Sequence, residues 1–571
     1  SGSQIFLTEY EKYILERNTV VDESKWDWSP AFDEAAKDLV NGGLLVVPER
    51  RYATTKPFEI VIKKKDANLK IIGQGKPIFV PKGKMDVISI TSDDNTVKKG
   101  EVFIDSIGVD GREAGVYLDE PTGSNAILIN NVHSAIIKNN YIDSLYGAGI
   151  VIKNIETMAM VEDNTVLDTW GFNSIEDEGG GIDNYGDGIY ISQTKQASIR
   201  RNYVFNNLEV TNNFGRAGIV LEFGVKMCEI ENNRVHGYDR NVHIEESDGY
   251  HIIKRNTLTG SDLGIITSTQ KKQILIEWNS ISNEGCPKTM KHIISDRGLI
   301  YLFGEGQSNG TEIRNNELKL DGQFKTDVLY RQNGTAGVMF ERNQVVCVGE
   351  RKDIYAFGSM KNTFRKNELK NVGILTLGAG HSNLFEDNIL DVELILNENT
   401  PAPGNTFKKN KIYNSSGLVK GLIGYNTVTN LIENEIENYE VIIVNDGNTG
   451  GEISGNVFKR TKNEAKIVPW VYEPISRTPF HTKTANLFID EVEKKNNRWV
   501  FEGEAYFEGG KKKIHTSQYP KNGEWKVGDE ATNTVITELG EVGNKYIIRG
   551  WVCITDGTPG VWVEDRIRTG S

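Results

Sequence analysis

Two glutamates, Glu222 and Glu245, stand 23 residues apart in the short apolar runs GIVLEF (218–223) and NVHIEE (241–246). Carboxyl groups held close together do proton-transfer chemistry. Their mutual repulsion raises one pKa, so one group keeps a proton while the other is charged. Glycoside hydrolysis uses such a pair: an acid protonates the leaving oxygen, and a carboxylate attacks the sugar or activates water. A short separation suits retention of configuration and a longer one inversion, and the sequence leaves both open. Asp183 and Asp187, in GGGIDNYGDG (179–188), are competing carboxylates, and Asp187 is a credible partner for Glu222. The glycines around them let a substrate approach the backbone closely. Tyr190, His243 and Tyr301 fit a groove that stacks on sugars and hydrogen-bonds to them. Arg216, Asp239, Asp262 and Arg297 hold matching positions just before their strands. They read as a structural ion ladder, with substrate contact as the alternative.

These residues need a scaffold that sets them side by side, and the sequence repeats itself. The pattern apolar-x-x-Asn-x-apolar recurs thirteen times, at Asn140, Asn164, Asn202, Asn233, Asn256, Asn279, Asn316, Asn343, Asn367, Asn388, Asn410, Asn434 and Asn456. Most intervals are 21 to 24 residues. Such self-similarity marks a repeat architecture. The units carry runs of period-2 alternation rich in Ile, Val, Phe and Tyr, among them GIVIKN (149–154), GIYISQ (188–193) and GIITST (264–269). Alternation in short runs means strands, and a unit of three short strands and three turns is one rung of a parallel β-helix. The expected fold is therefore all-β, a single-stranded parallel β-helix solenoid.

Rung-on-rung stacking turns the sequence into columns spaced by about 4.8 Å. Ile189, Ile219, Val242, Ile265 and Ile300 align as an inward column, followed by Ile191, Leu221, Ile244, Thr267 and Leu302. Between them lies an outward column of Tyr190, Val220, His243, Ile266 and Tyr301, and beyond it Ser192, Glu222, Glu245, Ser268 and Phe303. Glu222 and Glu245 then become neighbours on consecutive rungs. The recurring Asn is expected at the bend between two strands, in the positive-φ region that Asn tolerates, with its amide laddered to the next rung.

Three intervals are long: 38 residues before Asn202, 31 before Asn233 and 37 before Asn316. The excess lies in 169–187, 208–217 and 283–298, each time before a Gly-led strand or its equivalent. Insertions grouped on one face of a solenoid often build its binding surface. Within the first of them, Glu176-Asp177-Glu178 reads as a solvated loop, with Ca²⁺ as a possible ligand. No other metal site and no organic cofactor are expected.

The ends of the solenoid read differently. SPAFDEAAKDLVNGG (29–43) is an amphipathic helix, with Ser29 as its N-cap, Pro30 at the first position and Gly42-Gly43 as its stop. Strands at 44–48, 59–64 and 69–73 follow it. This gives an N-terminal segment and capping helix at 1–42, a β-helix carrying the groove at 43–465, and a small β domain at 466–571 that caps the end or joins subunits. Lys+Arg number 66 against 79 Asp+Glu, a net charge of −13, which disfavours nucleic acid and anionic membrane surfaces as partners. No run of 18 apolar residues is present. The four cysteines, Cys228, Cys286, Cys347 and Cys553, have neither CxxC nor zinc spacing and read as reduced and buried.

The stretch WSPAFDEAAKDLVNGGLLVVPERRY (28–52) resembles the opening segment of the pectate-lyase superfamily, and GWVCITDGTPGVW (550–562) resembles a short module ending tail and appendage proteins of phages of Gram-positive bacteria. Together they resemble a phage tailspike or pre-neck appendage depolymerase. The resemblance implies a right-handed β-helix and a homotrimer on the virion tail, outside the cell. It also implies cleavage of a bacterial surface polysaccharide or a teichoic acid. A polysaccharide lyase, a teichoic-acid phosphodiesterase and a non-catalytic glycan-binding spike are the alternatives on the same fold.

Overall fold

A computed structural model of the chain describes residues 4–570 apart from 117–122, 172–185, 208–215, 248, 269–271, 287–295, 305–309, 322–327, 378–379, 398–399, 416–422, 425–426, 440–442, 445–451, 463–481, 485–486, 492–494, 497–504 and 509–510. It divides into two compact units, 1–338 with 348–350, and 339–347 with 351–571. Each is built from the rungs of an all-β parallel β-helix.

In the first unit the Gly-led strands Gly147–Lys153, Ile189–Ser192, Ala217–Glu222, Arg240–Glu245, Ile265–Ser268 and Ile300–Phe303 pair in parallel, each with the next. The register is the one the columns predict: Ile189 pairs with Ile219, Ile219 with Val242, Val242 with Ile265, and Ile265 with Ile300. All five inward side chains are 0% exposed, so burial of Ile and Val on every rung drives the stack. Gly218 leads its strand for a steric reason, because a Cβ there would sit 2.3 Å from Val235.

The asparagine corner is laddered as expected but turned differently. The positive-φ residue is the one before each Asn: Asn139, Asp163, Arg201, Asn232, Arg255, Trp278 and Asn315 in this unit, with φ from 53° to 56°. That position points outward and takes almost any side chain, whereas the Asn points in and is buried. Every polar atom of Asn233 is satisfied. Its N–H and Nδ2 both donate to Asn256 Oδ1 (2.9 and 3.0 Å), and Nδ2 also donates to the Ile199 carbonyl (2.9 Å). Its Oδ1 accepts from the N–H and Nδ2 of Asn202, and its carbonyl accepts from Thr257 N–H (2.9 Å). An amide of this length supplies donor and acceptor at once, which is why Asn recurs down the column from Asn140 onward.

At the N-terminus the helix spans Ser29–Lys37 and buries Phe32 against Phe58, ring centroids 4.8 Å apart. Trp28 rather than Ser29 holds the N-cap position, and no side chain caps there. Ser29 is already helical, and its Oγ is drawn to Asp27 (2.6 Å) and to the backbone N–H groups of Thr55 and Lys56. Upstream of the helix, Gln4–Phe6 pairs in parallel with Gly43–Val47, so the segment before the helix also contributes a strand.

The second unit repeats the ladder from Asn343 through Asn367, Asn388, Asn410 and Asn434 to Asn456. It adds a second amide ladder, Asn362 to Asn383 to Asn405, and a stack of Phe364, Phe385 and Phe407 with centroids 4.6 and 4.5 Å apart. Parallel rung pairing continues beyond Asn456, at Thr482–Thr484 and Leu487–Asp490, past the 465 limit of the expected solenoid. A five-stranded sheet follows, from Ala505–Glu508 to Val561–Arg568. All four cysteines are free and buried. Among the described residues no helix is long and apolar enough to cross a membrane.

Candidate active site

Consecutive Gly-led strands carry the site, and their register makes Ser192, Glu222, Glu245, Ser268 and Phe303 one column. Glu222 and Glu245 are therefore direct rung neighbours. One oxygen of each, together with one nitrogen of His243, fall within 4.8 Å of one another. Their surroundings differ. Glu222 is 6% exposed, whereas the Glu245 side chain is 40% exposed. Burial raises the Glu222 pKa. Arg216 and the Tyr190 phenol pull it back, while Asp187 and Glu245 push it up. Glu245 is lowered instead, chiefly by its hydrogen bond with His243 (3.1 Å). Two like groups are thus pushed in opposite directions, which separates an acid from a base.

Tyr190 donates its phenol to Glu222 Oε2 (3.0 Å), and burial raises the phenol pKa, so it remains a donor. Arg216 holds Asp187 with two bonds (2.6 and 2.9 Å) and reaches Glu222 Oε1 with Nη2 (3.2 Å). The guanidinium thus bridges Asp187 and Glu222, with two bonds to the first and one to the second. His243 is 5% exposed, and its pKa is lowered by burial first. Its Nδ1 accepts from Arg240 Nε (2.9 Å). Arginine has no acceptor, so Nδ1 must be bare, and the proton of the neutral ring sits on Nε2 facing Glu245.

That tautomer bears on the metal question, because Glu222, His243 and Glu245 have the spacing of a cation triad. A ligating histidine offers a lone pair on one nitrogen and donates from the other. Here the nitrogen that faces the carboxylates carries the proton, so the set does not fit a transition ion. Two carboxylates alone also fall short of the oxygen shell that Ca²⁺ takes. The acidic stretch 176–178, the expected place for Ca²⁺, lies outside the described residues, as do Asp183 and most of the three long insertions.

The other residues expected at the groove are placed as follows. Tyr190 is half-buried at the site. Tyr301 is 4% exposed, beneath the Arg331 guanidinium (5.7 Å from the ring) and beside Leu263 and Ile266, so its ring face is not open to a sugar. Asp239 and Arg297 are 0% and 3% exposed and do not line the surface. They form a buried cluster in which Arg297 bonds Asp239 Oδ1 (3.2 Å) and Asp262. Their charges are satisfied by one another inside the fold. Sequence periodicity separates inward from outward, but it does not reveal what lies over an outward column. Phe303 is a ring that does reach solvent, 41% exposed and two rungs from Glu245 in the same column. Its column position follows from the sequence alternation, but its exposure does not. Arg240 carried no sequence signal beyond its charge.

No protein-family model matches the chain, and no curated protein matches it. Solved structures do. The pre-mature gene product 12 of bacteriophage phi29 is 11% identical, with 99% of this chain and 88% of that one covered at a TM-score of 0.48. The tailspike of E. coli bacteriophage HK620, in complex with a pentasaccharide, is 9% identical over 99% and 92% at 0.44. The mannuronan C-5 epimerase AlgE4 A-module of Azotobacter vinelandii is 11% identical over 77% and 97% at 0.29. All three scores lie below 0.5, so the β-helix assignment rests on the register of this chain's own rungs.

Proposed function

We propose that the chain is a spike-type protein of a phage tail that binds a bacterial surface polysaccharide and cleaves it by retaining glycoside hydrolysis. The observation that carries this reading is the Glu222–Glu245 pair, close enough for retention and split into a raised and a lowered pKa. Glu222 in its protonated form gives its proton to the glycosidic oxygen as the bond to the anomeric carbon breaks. The Glu245 carboxylate attacks that carbon and forms a glycosyl ester. Water then attacks the anomeric carbon, Glu222 takes the water's proton, and Glu245 leaves as a carboxylate. Tyr190 steadies the Glu222 carboxylate between the two steps, and Phe303 offers the face on which a neighbouring sugar stacks.

The test is oligosaccharide release from host-strain polysaccharide, with the product anomer read by NMR at early times. Glu222→Gln is expected to lower release by about 10²–10⁴-fold with the fold intact, and the first product is expected to keep the configuration of the substrate bond. Full activity in that variant ends the assignment. An unsaturated uronic product would make the protein a lyase, and liberated glycerol phosphate would make it a teichoic-acid phosphodiesterase. A second reading, a spike that holds the glycan without cutting it, is favoured by the small opening over Glu222; it predicts affinity without products. Light scattering is expected to show three subunits.

A further inference from the structure

We propose that Arg240 is a positioning residue of this site: it locks His243 in the tautomer that donates to Glu245, and in doing so closes the Glu222–His243–Glu245 triad to divalent metal ions. The inference rests on the hydrolase reading for its consequence in catalysis, but not for the tautomer itself. Arg240 Nε lies 2.9 Å from His243 Nδ1, and His243 Nε2 lies 3.1 Å from Glu245 Oε2 and 3.9 Å from Glu222 Oε1. A guanidinium keeps its proton at any working pH and cannot accept a hydrogen bond. The imidazole therefore has one neutral form open to it.

Arg240 is itself held from behind. Its Nη1 donates to Asp239 Oδ2 (2.8 Å), and the other oxygen of Asp239 accepts from Arg297 Nη1 (3.2 Å). Arg297 also bonds Asp262 and the main-chain carbonyl of Asp239. Asp239, Arg240, Asp262 and Arg297 are all at most 4% exposed. Two arginines and two aspartates make a neutral buried set, the condition under which buried charges persist. Asp239, Asp262 and Arg297 stand just before their strands and Arg240 opens one, and the set delivers one fixed N–H to the ring. Without that N–H, the proton can move to Nδ1. Nε2 would then offer a lone pair between two carboxylates, a geometry that takes Zn²⁺ or Co²⁺.

The experiment uses the full chain and three variants. Histidine ¹⁵N spectra, with His243 assigned by its loss in His243→Gln, are expected to show a bare Nδ1 and a protonated Nε2 in the wild type. Cobalt titration calorimetry is expected to show no His243-dependent binding in the wild type and at least about 10-fold tighter binding in Arg240→Met, as for other changes to the shell around a metal. Arg240→Met leaves Asp239 short of a partner and could fail to fold. Arg240→Lys keeps that charge but loses the fixed Nε donor, and carries the same two measurements. In the hydrolysis assay Arg240→Lys is expected to lower kcat with KM unchanged. A protonated Nδ1 in the wild type overturns the proposal, as does cobalt bound equally by wild type and variant through His243. Absence of any product from the wild type alongside the expected tautomer overturns the hydrolase reading alone.

Discussion

The rungs from Asn362 to Asn410 and those from Gly188 to Ser268 use the same corner and the same inward packing, yet they treat their remaining positions in opposite ways. The first group writes Asn-x-Phe-x-x-Asn three times, at Asn362, Asn383 and Asn405. Each residue type meets its own kind on the next rung: amide on amide at about 3 Å, ring on ring at 4.5–4.6 Å. The second group sets Tyr190, Val220, His243 and Ile266 in one outward column, where like never meets like. An amide is donor and acceptor together, so identical neighbours satisfy one another. Carboxylates and guanidinia are not, so they must find unlike partners across rungs. Columns of groups that satisfy their own kind therefore mark support, and columns of groups that need unlike partners mark chemistry.

That contrast can be broken at several points. The largest stability effect is expected from Asn388→Ala, which removes the partner of the Asn367 N–H and Nδ2 (2.9 and 3.0 Å) and of the Phe364 carbonyl (2.9 Å). The Asn367 N–H is left without its acceptor at roughly 2 kcal/mol, and the lost bonds to Asn367 Nδ2, which keeps the Phe340 carbonyl, and to the Phe364 carbonyl add roughly 1 kcal/mol each, about 4 kcal/mol in all, read as a lowered urea midpoint. Glu222→Gln should leave that midpoint nearly unchanged; if it falls as far as in Asn388→Ala, the mixed column is support as well.

A smaller effect belongs to His251, which is 1% exposed, with Nε2 2.6 Å from Ser247 Oγ, and whose pKa is depressed by burial to about 4. The unfolded ring titrates near its ordinary 6.5. The folded state therefore keeps its full stability above that value and loses it as pH falls through the window from 6.5 to about 4. The loss is on the order of 3 kcal/mol. His251→Leu should flatten that part of the acid limb in thermal melts, and an unchanged limb would mean another group sets it. The smallest effect is at Lys409, φ 55°. Lys409→Gly should raise stability by less than about 1 kcal/mol, since glycine takes this conformation without strain. Asn410→Gly should lower it.

Much of this was legible beforehand, because rung packing leaves little choice of register. A one-residue slip would have turned Ile219 and Leu221 outward, so the columns through Glu222 and Glu245 followed from apolar alternation alone. The bend was misplaced by one residue because Asn is the residue that repeats, and repetition drew the positive φ to it. Residues 255, 278 and 409 are Arg, Trp and Lys, side chains that give no hint of a left-handed backbone. The second amide ladder was present in the sequence but runs for only three rungs. The burial of Tyr301 was not legible for another reason: what covers an outward side chain is decided by segments distant in sequence, and periodicity does not report them.

The asparagine ladder also has a direction. In each unit the N–H and Nδ2 of one rung donate to the Oδ1 of the rung that comes later in the chain, as Asn202 does to Asn233 and Asn388 to Asn410. Within the ladder, a chain emerging from a ribosome N-terminus first therefore ends its finished part in an amide whose donors await the next rung. Each new rung arrives at a surface already primed to orient it. Synthesis and assembly then proceed in the same sense, and a chain halted midway displays that same primed edge to whatever strand it next meets.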